Sequence, residues 1–227
     1  MFTAQDVARL REKTGAGMMD CKKALVETDG NFDKAMDYLR EKGIASAAKR
    51  EGKIAAEGIV DSYIHMRGKI GVLVEVNCET DFVAKSDEFR ALVHSLALQI
   101  AAAKPLYVSR DEVPAEIIQK EKDILLAQIK NDPKNANKPI AIVEKMIEGK
   151  VGKYYEENCL LDQVFTGPTE NDSELKVSQL IVNATAKIGE KISVRRFARY
   201  EMGEGIEKKV NDLAKDVEEQ VAKMKNV

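Results

Sequence analysis

The spacing of apolar residues switches from a helical to an extended period near residue 58, and that switch most constrains what this chain can fold into. Up to residue 43 apolar side chains recur every three or four positions. From 59 to 78 they recur every second position, as on a strand with one face to bury. Two β-rich stretches, 59–66 and 69–78, flank Arg67-Gly68, which reads as a two-residue turn. On the second, Ile70, Val72, Val74, Val76 and Cys78 share one face. A third extended stretch, 192–200, is rich in arginine. Helical patterns fill the interval between, so the expected class is α+β with a three-stranded antiparallel sheet.

Three short helices are expected in residues 1–43. Thr3 with Asp6 forms a capping box ahead of Val7 and Leu10, and Thr14-Gly15-Ala16-Gly17 ends that helix. The second carries Met18, Cys21 and Leu25. The third carries Phe32, Ala35, Met36 and Leu39, with Gly43 where a terminating glycine belongs. About 40 residues make a marginal core with little room for a buried site, which suits a docking module. Residues 44–58 are small and basic and read as a partly helical linker.

Residues 59–204 read as the α+β core. Within it, Ser86 caps a helix with the stripe Phe89, Leu92, Val93, Leu96 and Ile100. A protruding helical hairpin is expected at about 115–157, with helices near 115–131 and 139–157 and a narrow apolar seam. A further short helix covers 175–187. Residues 205–227 form a C-terminal helical module with Ile206, Val210, Leu213, Val217, Val221 and Met224 on one stripe. That stripe must bury against this domain or a partner.

Composition removes several function classes. The chain is 44% hydrophobic and 33% charged, and its 36 basic and 38 acidic side chains leave a net charge of −2. A dedicated nucleic-acid domain is normally strongly basic, so none is expected. No apolar run is long enough to cross a membrane, and the start shows no signal-peptide pattern, so a cytoplasmic location is expected. Cys21, Cys78 and Cys159 form no CxxC pair, which points to neither a zinc site nor a disulfide framework. No phosphate-loop or dinucleotide motif is present, and His65 and His94 lack metal-ligand spacing, so neither cofactor nor metal is expected.

Three places still invite a functional reading. Cys78 with His65 could be a nucleophile and base, but Cys78 continues an apolar strand face and the structural reading is preferred. The run Val194-Arg195-Arg196-Phe197-Ala198-Arg199-Tyr200 interleaves cations with aromatics, as single-stranded nucleic acids favour, although a strand with a solvated face is the preferred reading. The third is Thr80-Asp81-Phe82-Val83, a connection between a well-patterned strand and a capped helix. Phe82 or Val83 could fold back as a hydrophobic staple, the commoner outcome, or stand out as an aromatic wedge for a partner's pocket.

Three ordered segments carry a resemblance. Residues 10–25, Leu-Arg-Glu-Lys-Thr-Gly-Ala-Gly-Met-Met-Asp-Cys-Lys-Lys-Ala-Leu, closely resemble the N-terminal signature of the bacterial elongation factor Ts family. Residues 76–84, Val-Asn-Cys-Glu-Thr-Asp-Phe-Val-Ala, resemble its second signature, and Arg196-Phe197 through 203–209 is similar to its C-terminal region. The resemblance implies a guanine-nucleotide exchange factor for the GTPase elongation factor Tu, acting by binding rather than by covalent chemistry. It implies that the N-terminal domain is UBA-like and docks on the partner through Arg11, Met18 and Met19. It further implies that Thr80, Asp81, Phe82 and Val83 enter beside the partner's nucleotide and disturb its magnesium and phosphate loop, with the C-terminal helix as an added clamp. Long family members carry two tandem core subdomains. One such unit is evident here, for which the family implies a homodimer.

Overall fold

The computed structural model describes residues 2–131, 138–168 and 174–206. Within them the chain is α+β, with eight α-helices and one antiparallel sheet of order β1-β2-β3. The expected C-terminal helix stripe beyond Ile206 lies outside the described residues.

Helices α1 (Ala4–Thr14), α2 (Met18–Glu27) and α3 (Phe32–Arg50) enclose a small core of Val7, Leu10, Cys21, Ala24, Leu25, Ala35 and Leu39. Local chemistry sets their ends. The Thr3 hydroxyl accepts from the Asp6 N–H while the Asp6 carboxylate accepts from the Thr3 N–H, and Gly15 closes α1 at φ +65°. Asn31 caps α3 by accepting from the Lys34 N–H.

Helix α3 does not end at Gly43, as its sequence suggests, but runs seven residues further to Arg50. Gly43 has a packing role instead. A Cβ there would stand 2.9 Å from the Cβ of Ala186 on α8 (Val177–Ile188), closer than two such carbons approach. The glycine therefore lets α3 lie tightly on α8, and the long helix joins the small core to the large one. Met18 starts α2 at the edge of the three-helix core and is exposed, leaving Cys21, Ala24 and Leu25 as the buried face.

The large core lies between the sheet and α5 (Asp87–Ala103). Strand β2 (Ile70–Cys78) is central, paired with β1 (Glu57–His65) and β3 (Ser193–Glu201). Its alternation places Val72, Val74, Val76 and Cys78 inward against Phe89, Val93, Leu96 and Ile100 of α5, with Val177 and Ile181 of α8 closing the side. Such burial of aliphatic and aromatic side chains contributes about 1.5–3 kcal/mol each. The opposite sheet face is open and carries exposed Val60, Ile64, Leu73 and Tyr200.

The β1–β2 connection is longer than the expected two-residue turn. His65 pairs with Ile70, and residues 66–69 form the loop, with Met66, Arg67 and Gly68 all at positive φ. Helices α6 (Ala115–Asn131) and α7 (Ile140–Asn158) form the expected hairpin against each other. One polar feature of the core has no periodic signature. Gln99 and Gln163 are buried, and the Gln99 side chain donates to Gln163 and Val164 while accepting from the Thr166 N–H and hydroxyl. Fully satisfied in this way, the pair ties α5 to the segment after α7 without leaving a polar group stranded.

Candidate functional site

The connection after β2 is a single helical turn, α4 (Asp81–Ala84), where a loop was expected. Four residues cannot sustain a helix unaided, because nucleation is unfavourable and only one bond closes per turn. Its neighbours hold it. The Thr80 hydroxyl caps the turn by accepting from the Val83 N–H at 3.4 Å. The Ser86 hydroxyl donates to the Val83 carbonyl at 2.8 Å and accepts from the Phe89 N–H at 3.3 Å, so one side chain ends α4 and begins α5. Ala84 is buried, and Val83 packs against the main core.

The two apolar side chains of the turn face different surroundings. Val83 turns inward onto the core, while Phe82, its neighbour, is 82% exposed. A phenylalanine left in water forgoes about 1.5–3 kcal/mol of burial, so the geometry keeps a large apolar side chain available on a fixed base. Asp81 beside it accepts from Lys85 at 2.7 Å, one turn on, and that ammonium holds its carboxyl below the usual range. Both partners are half or more exposed, so the pair contributes little to stability and leaves the carboxylate accessible.

The root of α4 is fixed by the segment that leads into the neighbouring strand β3. Thr80 donates from its N–H and its hydroxyl to the two carboxylate oxygens of Glu190, at 3.0 and 2.7 Å. Glu79 accepts from the Lys191 N–H at 2.7 Å and from Arg50 at 3.1 Å. Those contacts hold its carboxyl below the usual range, the Lys191 N–H chiefly and Arg50 second. The Lys191 ammonium in turn donates to the carbonyls of Glu51 and Lys53, at the end of α3. Nothing in the local sequence signals Glu190 or Lys191, which lie 110 or more residues away from their partners Thr80 and Glu79 between β2 and α4.

Arg11, Met18 and Met19 are all exposed on α1 and α2, Met18 at 44% and Met19 at 74%. Adjacent exposed methionines make a soft, adaptable apolar surface.

The alternative chemistries are not assembled. Cys78 pairs in the sheet with Glu57, eight residues along β1 from His65, so roughly 26 Å separates them at about 3.3 Å per residue. The Cys78 thiol instead donates to the Thr80 carbonyl at 3.1 Å. The arginine-rich stretch is strand β3, with a bulge that sets Arg195 and Arg196 opposite Glu75, and that carboxylate accepts from both at 2.8 and 2.7 Å. The Arg199 side chain is 7% exposed and shares Glu201 with Lys104, and the two cations, Lys104 chiefly, hold that carboxyl down to about 2. Among the described residues, no group of three or more His, Cys, Asp or Glu side chains is placed to hold a metal, and no helix is long and apolar enough to cross a membrane.

All three cysteines are free thiols and buried. Burial raises each of them, Cys159 to about 11, so the nucleophilic thiolate is scarce at neutral pH. Alkylation of the native protein at pH 7.5 is expected to leave all three unmodified, whereas the same reagent in denaturant modifies all three. Mass spectrometry reads the difference, and rapid native labelling of Cys78 would restore it as a candidate nucleophile.

Comparison with known proteins places these features in a family. The sequence model described as Elongation factor TS matches residues 30–184. The elongation factor Ts of Desulforamulus reducens is 58% identical over 220 residues, 97% of this chain and 98% of that protein. That of Heliobacterium modesticaldum is 56% identical across 98% of this chain and all of the relative. That of Desulfitobacterium hafniense is 57% identical across 95% of each. The exposed Phe82 on its anchored turn thus sits in a chain that matches these relatives nearly from end to end, and the chain belongs to the elongation factor Ts family of translation elongation factors.

Proposed function

We propose that this chain is a guanine-nucleotide exchange factor that binds elongation factor Tu in its GDP form and promotes GDP release in the cytoplasm, without covalent catalysis. The observation that carries the mechanism is the isolated exposure of Phe82 on a turn whose other apolar residues are packed into the core. In this reading Arg11, Met18 and Met19 dock the N-terminal helices on the GTPase. Docking delivers Thr80, Asp81, Phe82 and Val83 to the edge of the nucleotide site, where the Phe82 ring displaces the structure that holds magnesium and phosphate. Asp81 adds a negative charge beside a site that stabilises anionic phosphates through cations.

Binding of the chain and of nucleotide must oppose each other by the same factor, so bound GDP weakens the chain's own grip and the complex turns over. The direct test is stopped-flow release of fluorescent GDP from elongation factor Tu. Added chain should accelerate release, and a rate independent of its concentration would reject the reading.

The open sheet face supports self-association as a second element of the proposal. Val60, Ile64, Leu73 and Tyr200 form an exposed apolar area that a second copy could cover. Sedimentation velocity at micromolar concentration should give about twice the chain mass of 25.2 kDa. Leu73→Glu should return the monomer, and a wild-type monomer would dismiss this element alone.

A further inference from the structure

The wedge turn has an anchor that family membership does not explain. Helix α4 is too short to persist alone, and Thr80 is the point where it leaves β2. Both polar hydrogens of Thr80 are engaged by one carboxylate, that of Glu190. Glu190 sits just after α8, where Gly189 takes a left-handed φ of +83° and turns the chain back toward β3. Charge-assisted hydrogen bonds of this kind are about twice as strong as neutral ones and directional, so the carboxylate fixes both the position and the rotation of the turn's first residue.

The Thr80 hydroxyl is thereby oriented. Its proton goes to Glu190, which leaves a lone pair for the Val83 N–H. Lys191, the next residue, binds Glu79 through its N–H and the end of α3 through its ammonium. The dipeptide Glu190-Lys191 thus grips the wedge root and the exit of the N-terminal helices at the same time.

We propose that Glu190 is a positioning residue for exchange, clasping Thr80 so that Phe82 is presented to the partner in one orientation. The proposal rests on the wedge reading of Phe82. Loss of the clasp frees the turn to sample other orientations and lowers the fraction of docked complexes with the ring inserted. The docking surfaces on α1 and α2 are untouched. The maximal exchange rate should therefore fall while the concentration of elongation factor Tu·GDP giving half-maximal rate stays nearly constant.

Full-length Glu190→Ala should lower the maximal rate of GDP release by about tenfold, equivalent to about 1.4 kcal/mol, with the half-maximal concentration changed by less than about twofold. Glu190→Gln keeps an oxygen for the Thr80 N–H and should recover most of the rate. In a Phe82→Ala background Glu190→Ala should cost no further rate, because a wedge without its ring gains nothing from orientation. Thermal unfolding identifies any variant that fails to fold. For such a variant Thr80→Val, which removes the hydroxyl end of the clasp, takes its place and should slow exchange in the same way.

A wild-type maximal rate for folded Glu190→Ala, or for Thr80→Val standing in for it, alongside slow Phe82→Ala would overturn the clasp and leave the wedge standing. A wild-type rate for Phe82→Ala would overturn the wedge reading itself. Equal losses for Glu190→Ala with and without Phe82 would assign Glu190 to a structural role only.

Discussion

Phe82→Ala is expected to slow the maximal rate of GDP release from elongation factor Tu by one to two orders of magnitude while leaving the chain as stable as before. The estimate follows from burial: inserting a phenylalanine into a partner contributes about 1.5–3 kcal/mol, and each tenfold change in a rate or equilibrium corresponds to about 1.4 kcal/mol. Stability should change by less than about 0.5 kcal/mol, because a side chain 82% exposed gives up few contacts on truncation. Stopped-flow fluorescence with labelled GDP and a parallel thermal melt measure the two quantities together. An unchanged release rate would remove Phe82 from the mechanism and leave the chain as a tether acting through its N-terminal helices.

The same arithmetic limits what the ring can do. One or two decades is the most that a single buried phenylalanine can account for. Any larger acceleration must draw on binding energy from other surfaces, used to hold the wedge in place. Arg11, Met18 and Met19 are exposed where such docking would occur. Arg50 and Lys191 both bond Glu79, and Lys191 also bonds Glu51, so the end of α3 is joined to the residue that precedes Thr80.

What could be read in the sequence, and what could not, divides by the range of the determining contacts. The inward face of β2, the stripe of α5 with its Ser86 cap, and the bounds of α6 and α7 follow from periodicity and capping within a dozen residues. The errors arise where a distant residue decides. Gly43 looks like a helix end, but its partner Ala186 makes it a site of close helix packing. Residues 81–84 look like a loop, but Thr80, Ser86 and the core stabilise a helical turn. The bulge at Arg195 arises from pairing with Glu75, and the burial of Gln99 arises from Gln163 and Thr166. Which of Phe82 and Val83 turns inward is undecidable locally because both are apolar. Only the position of the core separates them.

Phe89, seven residues after Phe82, should respond in the opposite manner. Its ring has no exposed surface and lies among Val74, Val76, Val93 and Leu96 in the main cluster, at the first turn of α5. Truncation to alanine removes the buried ring and leaves a cavity that the rigid sheet and helix cannot fully close. The expected loss is about 3–5 kcal/mol, which lowers the melting midpoint by roughly 6–20 °C for a chain of this size. Phe89→Leu keeps most of the volume and should cost less than about 1.5 kcal/mol. Differential scanning calorimetry reads both, and a loss below about 1 kcal/mol for Phe89→Ala would mean that the core under α4 is loosely packed. That result would also weaken the account of Phe82. The Ser86 hydroxyl bonds both the Phe89 N–H and the Val83 carbonyl, so a yielding α5 start could not keep the wedge rigid. At temperatures where Phe89→Ala remains folded, the proposed wedge role predicts that exchange falls by less than with Phe82→Ala, because the Phe82 ring is still present.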